Sequence, residues 1–187
     1  MSTADPALTM TPARDSPSSS ARSDAISDLI DREAGPLLDY FNRRTLSPDD
    51  AADLLGETLV VVWRRERSIP TEPVQARMWL YGVARKVLAG HRRSSRRLRG
   101  LTERLGAELL ALSAPAVDDT AAEVQDLLAL LSDTDQEIIR LVYWDGFSLE
   151  EVASIMSMRP GTVRSRHSRA RARLRILMGE PLSDLPA

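Results

Sequence analysis

Apolar residues along this chain recur at helical rather than strand spacing from Asp24 onward. Ile26, Leu29 and Ile30 precede Leu37, Leu38 and Phe41, and the Gly35-Pro36 pair between them predicts two short helices. Ser47-Pro48-Asp49-Asp50 reads as a helix start: Ser47 caps, Pro48 suits a first turn whose N–H groups lack partners anyway, and the two acids complement the helix dipole. That helix is expected to run to about Arg65, with Leu54, Leu55, Leu59 and Val62 inward. After a loop containing Ile69-Pro70-Thr71-Glu72-Pro73, a long helix is predicted over 74–97, packed through Met78, Tyr81, Ala84 and Leu88. Its second half, from His91 to Arg99, loses the apolar stripe and becomes basic, which predicts a solvated or ligand-facing surface.

Further helices are expected at 120–131, 133–144, 149–156 and 161–178, with Ser132 as a cap and Gly146 just past a helix end. Ser148 and Glu151 fit the capping box, in which the serine accepts from the Glu backbone N–H and the glutamate reaches back. No strand-like alternation and no internal repeat occurs. The expected fold class is therefore all-α, as two small helical domains joined by a flexible linker. The boundaries are a disordered leader at 1–22, a first domain at 23–99, a linker at 100–119 with a short helix at Glu103 to Leu112, a second domain at 120–178 and a tail at 179–187.

Charge sharpens this plan. The formal net charge of -2 hides blocks of +3 over 23–100, -10 over 101–158 and +5 over 159–187. Two separated basic regions suggest polyanion contact, and an acidic middle weakens indiscriminate binding. All basic residues except Lys86 are Arg, a side chain suited to bidentate phosphate and guanine contacts, although a GC-rich genome also enriches it. With no cysteine there is no disulfide framework and no thiolate metal site. No apolar run has membrane-spanning length and the N-terminus lacks a signal-peptide plan, so a cytoplasmic protein without membrane insertion is expected. Walker, H-E-x-x-H and G-x-S-x-G motifs are missing, so neither an enzyme nor a cofactor or metal site is expected.

The stretch from Asp145 to Arg175 carries the most information. A short capped helix with Val152, Ala153 and Ile155 inward is followed by the turn Met156-Ser157-Met158-Arg159 and a basic helix opened by Pro160-Gly161-Thr162. This is helix-turn-helix spacing, in which the second helix enters the major groove. Val163, His167, Ala170, Leu174 and Leu177 define its packed face, so Arg164, Ser165, Ser168, Arg169 and Arg171 point outward or to the flank. Arginine reads guanine O6 and N7 with two hydrogen bonds, and serine serves phosphates or bases. A merely solvated basic face is the competing reading, which the capped helix and tight turn upstream disfavour.

Ser148-Leu149-Glu150-Glu151-Val152-Ala153, Gly161-Thr162-Val163-Arg164-Ser165-Arg166 and Arg169-Ala170-Arg171 together resemble region 4 of the extracytoplasmic-function sigma factors in the bacterial sigma-70 family. In the first half, the run from Asp50 to Leu59 with Val62-Trp63-Arg64 resembles the region 2 helix that docks on the polymerase clamp, and the run from Met78 to Arg85 resembles the helix facing the minus-10 element. The two modules cover about residues 24 to 178 in the family's order. The resemblance implies a promoter-specificity subunit with core RNA polymerase (clamp and flap), promoter DNA and an anti-sigma factor as partners. By it, Asp53, Leu54, Glu57 and Thr58 contact the core polymerase. Tyr81, Lys86, Arg92, Arg93, Arg96 and Arg97 serve the minus-10 element, and Thr162, Arg164, Ser165, Ser168, Arg169 and Arg171 the minus-35 element.

The chain departs from the family pattern at Gly56, Lys86, Gly90, Ser157 and His167. Ser157 replaces the usual turn glycine and carries a conformational cost where the turn requires positive φ. His167 is expected to be a partly buried packing residue, with phosphate contact as the alternative. Trp63, Trp79 and Trp144 are expected to pack in the core; Tyr81, at the margin of its stripe, either packs or faces single-stranded DNA. Two other readings compete with the sigma factor. One is a stand-alone helix-turn-helix regulator, which leaves the 48–99 match unexplained; the other is an interaction module that binds only an inhibitor.

Overall fold

The computed structural model of the chain describes residues 19–104 and 119–178, with side chains over 22–97 and 124–178. Seven α-helices occur among them: α1 (Ser19–Asn42), α2 (Pro48–Arg64), α3 (Pro73–Arg104), α4 (Asp119–Ala129), α5 (Asp133–Tyr143), α6 (Leu149–Met156) and α7 (Pro160–Leu177), with a 3₁₀ turn at Glu66–Ser68. The expected leader lies outside the described residues up to 18, as do most of the linker with its short helix (105–118) and the tail (179–187).

The sequence pattern misplaced one break. Instead of two short helices, α1 runs unbroken through Pro36. A proline inside a helix costs about 3 kcal/mol through a lost hydrogen bond and a clash. The same buried face continues on both sides of it, however, through Ile26, Leu29, Leu37, Tyr40 and Phe41. Each full burial of a large apolar side chain stabilises by about 1.5–3 kcal/mol, so the continuous face outweighs the break.

Elsewhere the caps decide the boundaries. The Ser47 hydroxyl accepts from the Asp49 N–H at 3.2 Å, starting α2. At α6 the Ser148 N–H donates to Glu151 Oε2 at 2.7 Å while Ser148 Oγ accepts from the Glu151 N–H at 3.3 Å, forming the expected box. Gly146 turns the chain after α5 with φ 71°. Ser157 ends α6 in the left-handed region, φ 54° and ψ 45°, and the following Met158 N–H returns to the Ala153 carbonyl at 2.8 Å. The conformational cost expected at Ser157 is therefore present, because its Cβ crowds the backbone where glycine would not.

Met78, Tyr81, Ala84 and Leu88 of α3 are buried as the stripe predicts. Their core does not stop at the first three helices: it continues through Phe147, Val152, Ile155 and Val163 of the second group. A satellite cluster of Leu128, Leu131, Ile139 and Ala170 joins α4, α5 and α7. Two tryptophans depart from expectation. Trp63 is 45% exposed because Val62 takes the inward position beside it, and Trp144 is 42% exposed at the C-cap of α5, where the helical register ends. Trp79 packs half-buried at the core margin.

Candidate nucleic-acid interface

α7 follows α6 after a tight turn, and Val163 and Ala170 fix which side it buries. Thr162, Arg164, Ser165, Ser168, Arg169 and Arg171 are all exposed on its remaining surface. Arg164 Nη1 lies 3.1 Å from Glu150 Oε1, an exposed pair that water screens and that yields readily to a stronger ligand. Arg169 Nε donates to the Ser165 carbonyl at 3.2 Å, which lays its side chain along the helix. Arg166 is committed elsewhere, to Asp135 at 3.0 Å. Burial alone would raise the Asp135 carboxyl, but hydrogen bonds from the Ser132 hydroxyl and Arg166 hold it below the usual range.

His167 packs half-buried on Tyr143, with ring centroids 5.8 Å apart and planes 21° from parallel. Burial, with help from the Arg171 charge, lowers its pKa below 6.5. A neutral stacked imidazole is poorly suited to holding a phosphate, so the packing expectation is met.

The basic end of α3 presents a second surface. Lys86, Arg93, Arg96 and Arg97 are exposed, while Arg92 is half-buried and donates to the Arg44 carbonyl at 3.3 Å. Tyr81 is different. It is 1% exposed, with the Phe147 ring edge-on at 4.7 Å and the Tyr40 ring at 5.5 Å. Burial pushes its hydroxyl up to about 12, against the opposing pull of Arg77. In this conformation Phe147 of the second helical group covers the Tyr81 ring.

On α2 the four residues expected at the polymerase divide. Asp53 and Glu57 are exposed one turn apart, whereas Leu54 is 1% exposed and Thr58 is buried, its hydroxyl donating to the Leu54 carbonyl at 2.7 Å. Leu54 and Thr58 point inward because they share the register of Ala51 and Val62. The outer face continues instead through Val60 and Trp63, which remain largely exposed. The sequence carried a signal for this: Asp53, Glu57, Val60 and Trp63 follow one another at steps of 4, 3 and 3.

Between the two helical groups lies an ionic cluster that no motif announces. The Arg44 side chain is fully buried, with Nε 2.9 Å from Glu137 Oε2 and Nη2 2.8 Å from Asp145 Oδ2. Arg43 reaches the other Asp145 oxygen at 2.7 Å, the Tyr40 hydroxyl donates to Glu137 at 3.0 Å, and Arg77 donates to the Asp145 carbonyl at 2.7 Å. Burial, then the Glu137 charge, raises the Tyr40 pKa well above 10. Burial opposes a charged Arg44, but the charges of Glu137, Tyr40 and Asp145 outweigh it and raise its pKa further above the usual guanidinium value. The clue in the sequence was an arginine just past α1 that continues its inward register (37, 40, 41, then 44), where an apolar residue would ordinarily fall.

Comparison with known proteins places these surfaces in context. The family profile "Sigma-70, region 4" matches residues 121–174. ECF RNA polymerase sigma factor SigL of Mycobacterium tuberculosis is 31% identical, over 90% of this chain and 97% of its own. The RNA polymerase sigma-E factor of Streptomyces avermitilis is 34% identical over 71% of this chain and 74% of its own. Among solved structures, the sigma factor RpoE in complex with the anti-sigma factor NepR from Bartonella quintana superposes with a TM-score of 0.65 at 24% identity, covering 84% of this chain and 98% of that one. CnrH in complex with the cytosolic domain of CnrY gives 0.61 at 21% identity, over 84% and 94%. The two structures establish a shared fold.

Proposed function

The chain belongs to the extracytoplasmic-function sigma factors of RNA polymerase, and we propose that it joins core polymerase in the cytoplasm and selects promoters through two DNA elements, with no catalytic step of its own. The observation that carries the assignment of surfaces is the exposed polar face of α7, where all six residues expected at the minus-35 element are accessible above a capped α6. Arg164 and Arg169 would read base edges there, and Thr162, Ser165, Ser168 and Arg171 would fix register on phosphates. Lys86, Arg92, Arg93, Arg96 and Arg97 would follow the unpaired minus-10 strand, with Tyr81 as a stacking platform once uncovered. Asp53 and Glu57, flanked by Val60 and Trp63, would meet the polymerase clamp.

The relatives matched over nine-tenths of the chain are sigma factors, which sets aside the free-standing regulator. An inhibitor partner fits the same reading, because RpoE and CnrH were each solved bound to a second protein. Run-off transcription with purified core polymerase on a genomic promoter library tests the proposal. Promoter-dependent transcripts are expected only when this protein is added; the lack of both transcripts and a complex with core polymerase would overturn it.

A further inference from the structure

The residues Arg77, Tyr81, Arg85, Leu88, Arg92 and Arg96 recur along α3 at steps of 4, 4, 3, 4 and 4, so they share one face. The second helical group lies along that whole face. Phe147 packs on Tyr81 and sits 4.1 Å below the Arg77 guanidinium. Farther along, Asp145 takes Arg43 and Arg44, one carboxylate oxygen to each, Glu137 takes Arg44, and Asp133 approaches Arg96 at 3.7 Å. A groove of about 280 Å³ runs between Arg92, Arg93 and Arg96 on one wall and Asp133 and Glu137 on the other. Asp133 and Glu137 stand one turn apart on α5, a rise of about 6 Å, and Asp145 follows just past its end.

We infer that the acidic row Asp133, Glu137 and Asp145 is an internal stand-in for a nucleic-acid backbone, occupying an arginine face (Arg43, Arg44, Arg92, Arg96) that takes DNA phosphates once the helical groups part. Three observations meet here. The cations lie on, or touch, the α3 face that the sigma-factor reading gives to the minus-10 strand, and the inference rests on that reading for the DNA's identity. A carboxylate gripped by two guanidiniums uses the charge-assisted, planar geometry with which arginine also grips phosphate. Finally, the buried contacts of Arg44 with Glu137 and Asp145 add little stability over apolar ones, so stability alone does not account for charge there.

Scale requires that the groups part. By their names the two promoter elements lie about 25 base pairs apart, on the order of 85 Å of duplex. A compact chain of 187 residues has a radius of gyration of about 16 Å. The closed form therefore cannot touch both elements. Residues 105–118 reach at most about 50 Å when extended, enough with the helical groups themselves to cover the distance.

The test uses the full chain, without polymerase, and a short single-stranded DNA of mixed sequence as probe, because phosphate contact needs no promoter. Asp145→Asn is nearly isosteric; a second variant adds Glu137→Gln and Asp133→Asn. Circular dichroism checks the fold, small-angle scattering reads the separation, and fluorescence anisotropy reads binding. The triple variant is expected to expand and to bind the probe at least roughly tenfold more tightly, in proportion to the larger open fraction. Adding Arg43→Ala to it should reverse most of the gain without restoring compactness, an effect that a purely structural Arg43 would not produce. Expansion without tighter binding would overturn the mimicry, and so would no expansion with unchanged binding. If the triple variant unfolds, Asp145→Asn alone decides by the same two readings. Wild-type run-off transcription is scored separately, so a failure of the sigma reading is not confused with a failure of the mimicry.

Discussion

Phe147 meets Tyr81 edge to face, centroids 4.7 Å apart and planes at 74°, and joins the loop before α6 to the N-terminal third of α3. The contact makes one core of two helical groups. Phe147→Ala is expected to cost about 3–5 kcal/mol in urea unfolding, the range for deleting a buried aromatic ring. Because Phe147 is 2% exposed between the groups, the loss should also split a single cooperative transition into two. A loss below about 1 kcal/mol with one transition retained would show that the groups unite by other means.

Ser157 gives a prediction of opposite sign. Its left-handed backbone at φ 54° is costly for a side chain and free for glycine. Ser157→Gly should raise stability by up to about 1 kcal/mol, because the relieved native strain exceeds the flexibility gained by the unfolded chain. Equilibrium denaturation checks it; a lower midpoint would mean that the serine hydroxyl contributes more than its backbone costs.

His167 sets a pH dependence. Burial and Arg171 depress its folded pKa below 6.5, so the unfolded chain takes up the proton first. Stability from this site is therefore fully present above 6.5 and is lost as pH falls from there toward the folded value. His167→Phe, which keeps a ring against Tyr143, should flatten the stability profile through that window. An unchanged slope would assign the titration to another group.

Surface and core substitutions on α2 should separate cleanly. Asp53→Ala with Glu57→Ala is expected to weaken the complex with core polymerase while leaving the melting temperature almost unchanged, since both side chains are exposed. Leu54→Ala should instead cost about 2–5 kcal/mol of stability, as for other buried leucines. Pull-down with core polymerase beside thermal melting reads both, and equal effects of the two variants would mean that the face is misassigned.

For α7, Arg164→Ala or Arg169→Ala should cost about 1–3 kcal/mol in discrimination at the minus-35 element and leave polymerase binding intact. Competition between wild-type and base-substituted promoters in run-off transcription measures it. A loss of polymerase binding in either variant would reverse the proposed division of labour.

The second helical group was legible in the sequence almost to the residue because serines cap it. Ser132 and Ser148 announce α5 and α6, and the Ser148–Glu151 box is a local arrangement that needs no tertiary information. Pro36 misled for the complementary reason: a local break signal was overruled by a buried face that only packing reveals. Leu54 and Thr58 were grouped with Asp53 and Glu57 by resemblance, although Leu54 already stood in the inward stripe with Val62 and Thr58 lies one turn from each. The pairing of Arg44 with Glu137 and Asp145 spans about a hundred positions along the chain, and neither periodicity nor motif encodes which distant carboxylate an arginine will meet.

The buried Arg44 also bears on how polymerase affinity is to be interpreted. Separating Arg44 from Glu137 and Asp145 leaves a guanidinium and two carboxylates to be rehydrated or paired anew. If polymerase accepts only the parted form, its apparent dissociation constant equals the intrinsic one divided by the fraction parted. A neutralised clasp would then look like a stronger polymerase ligand without a single new contact to the enzyme. Competition for core enzyme would then be set partly inside this chain, at the seam between its two helical groups.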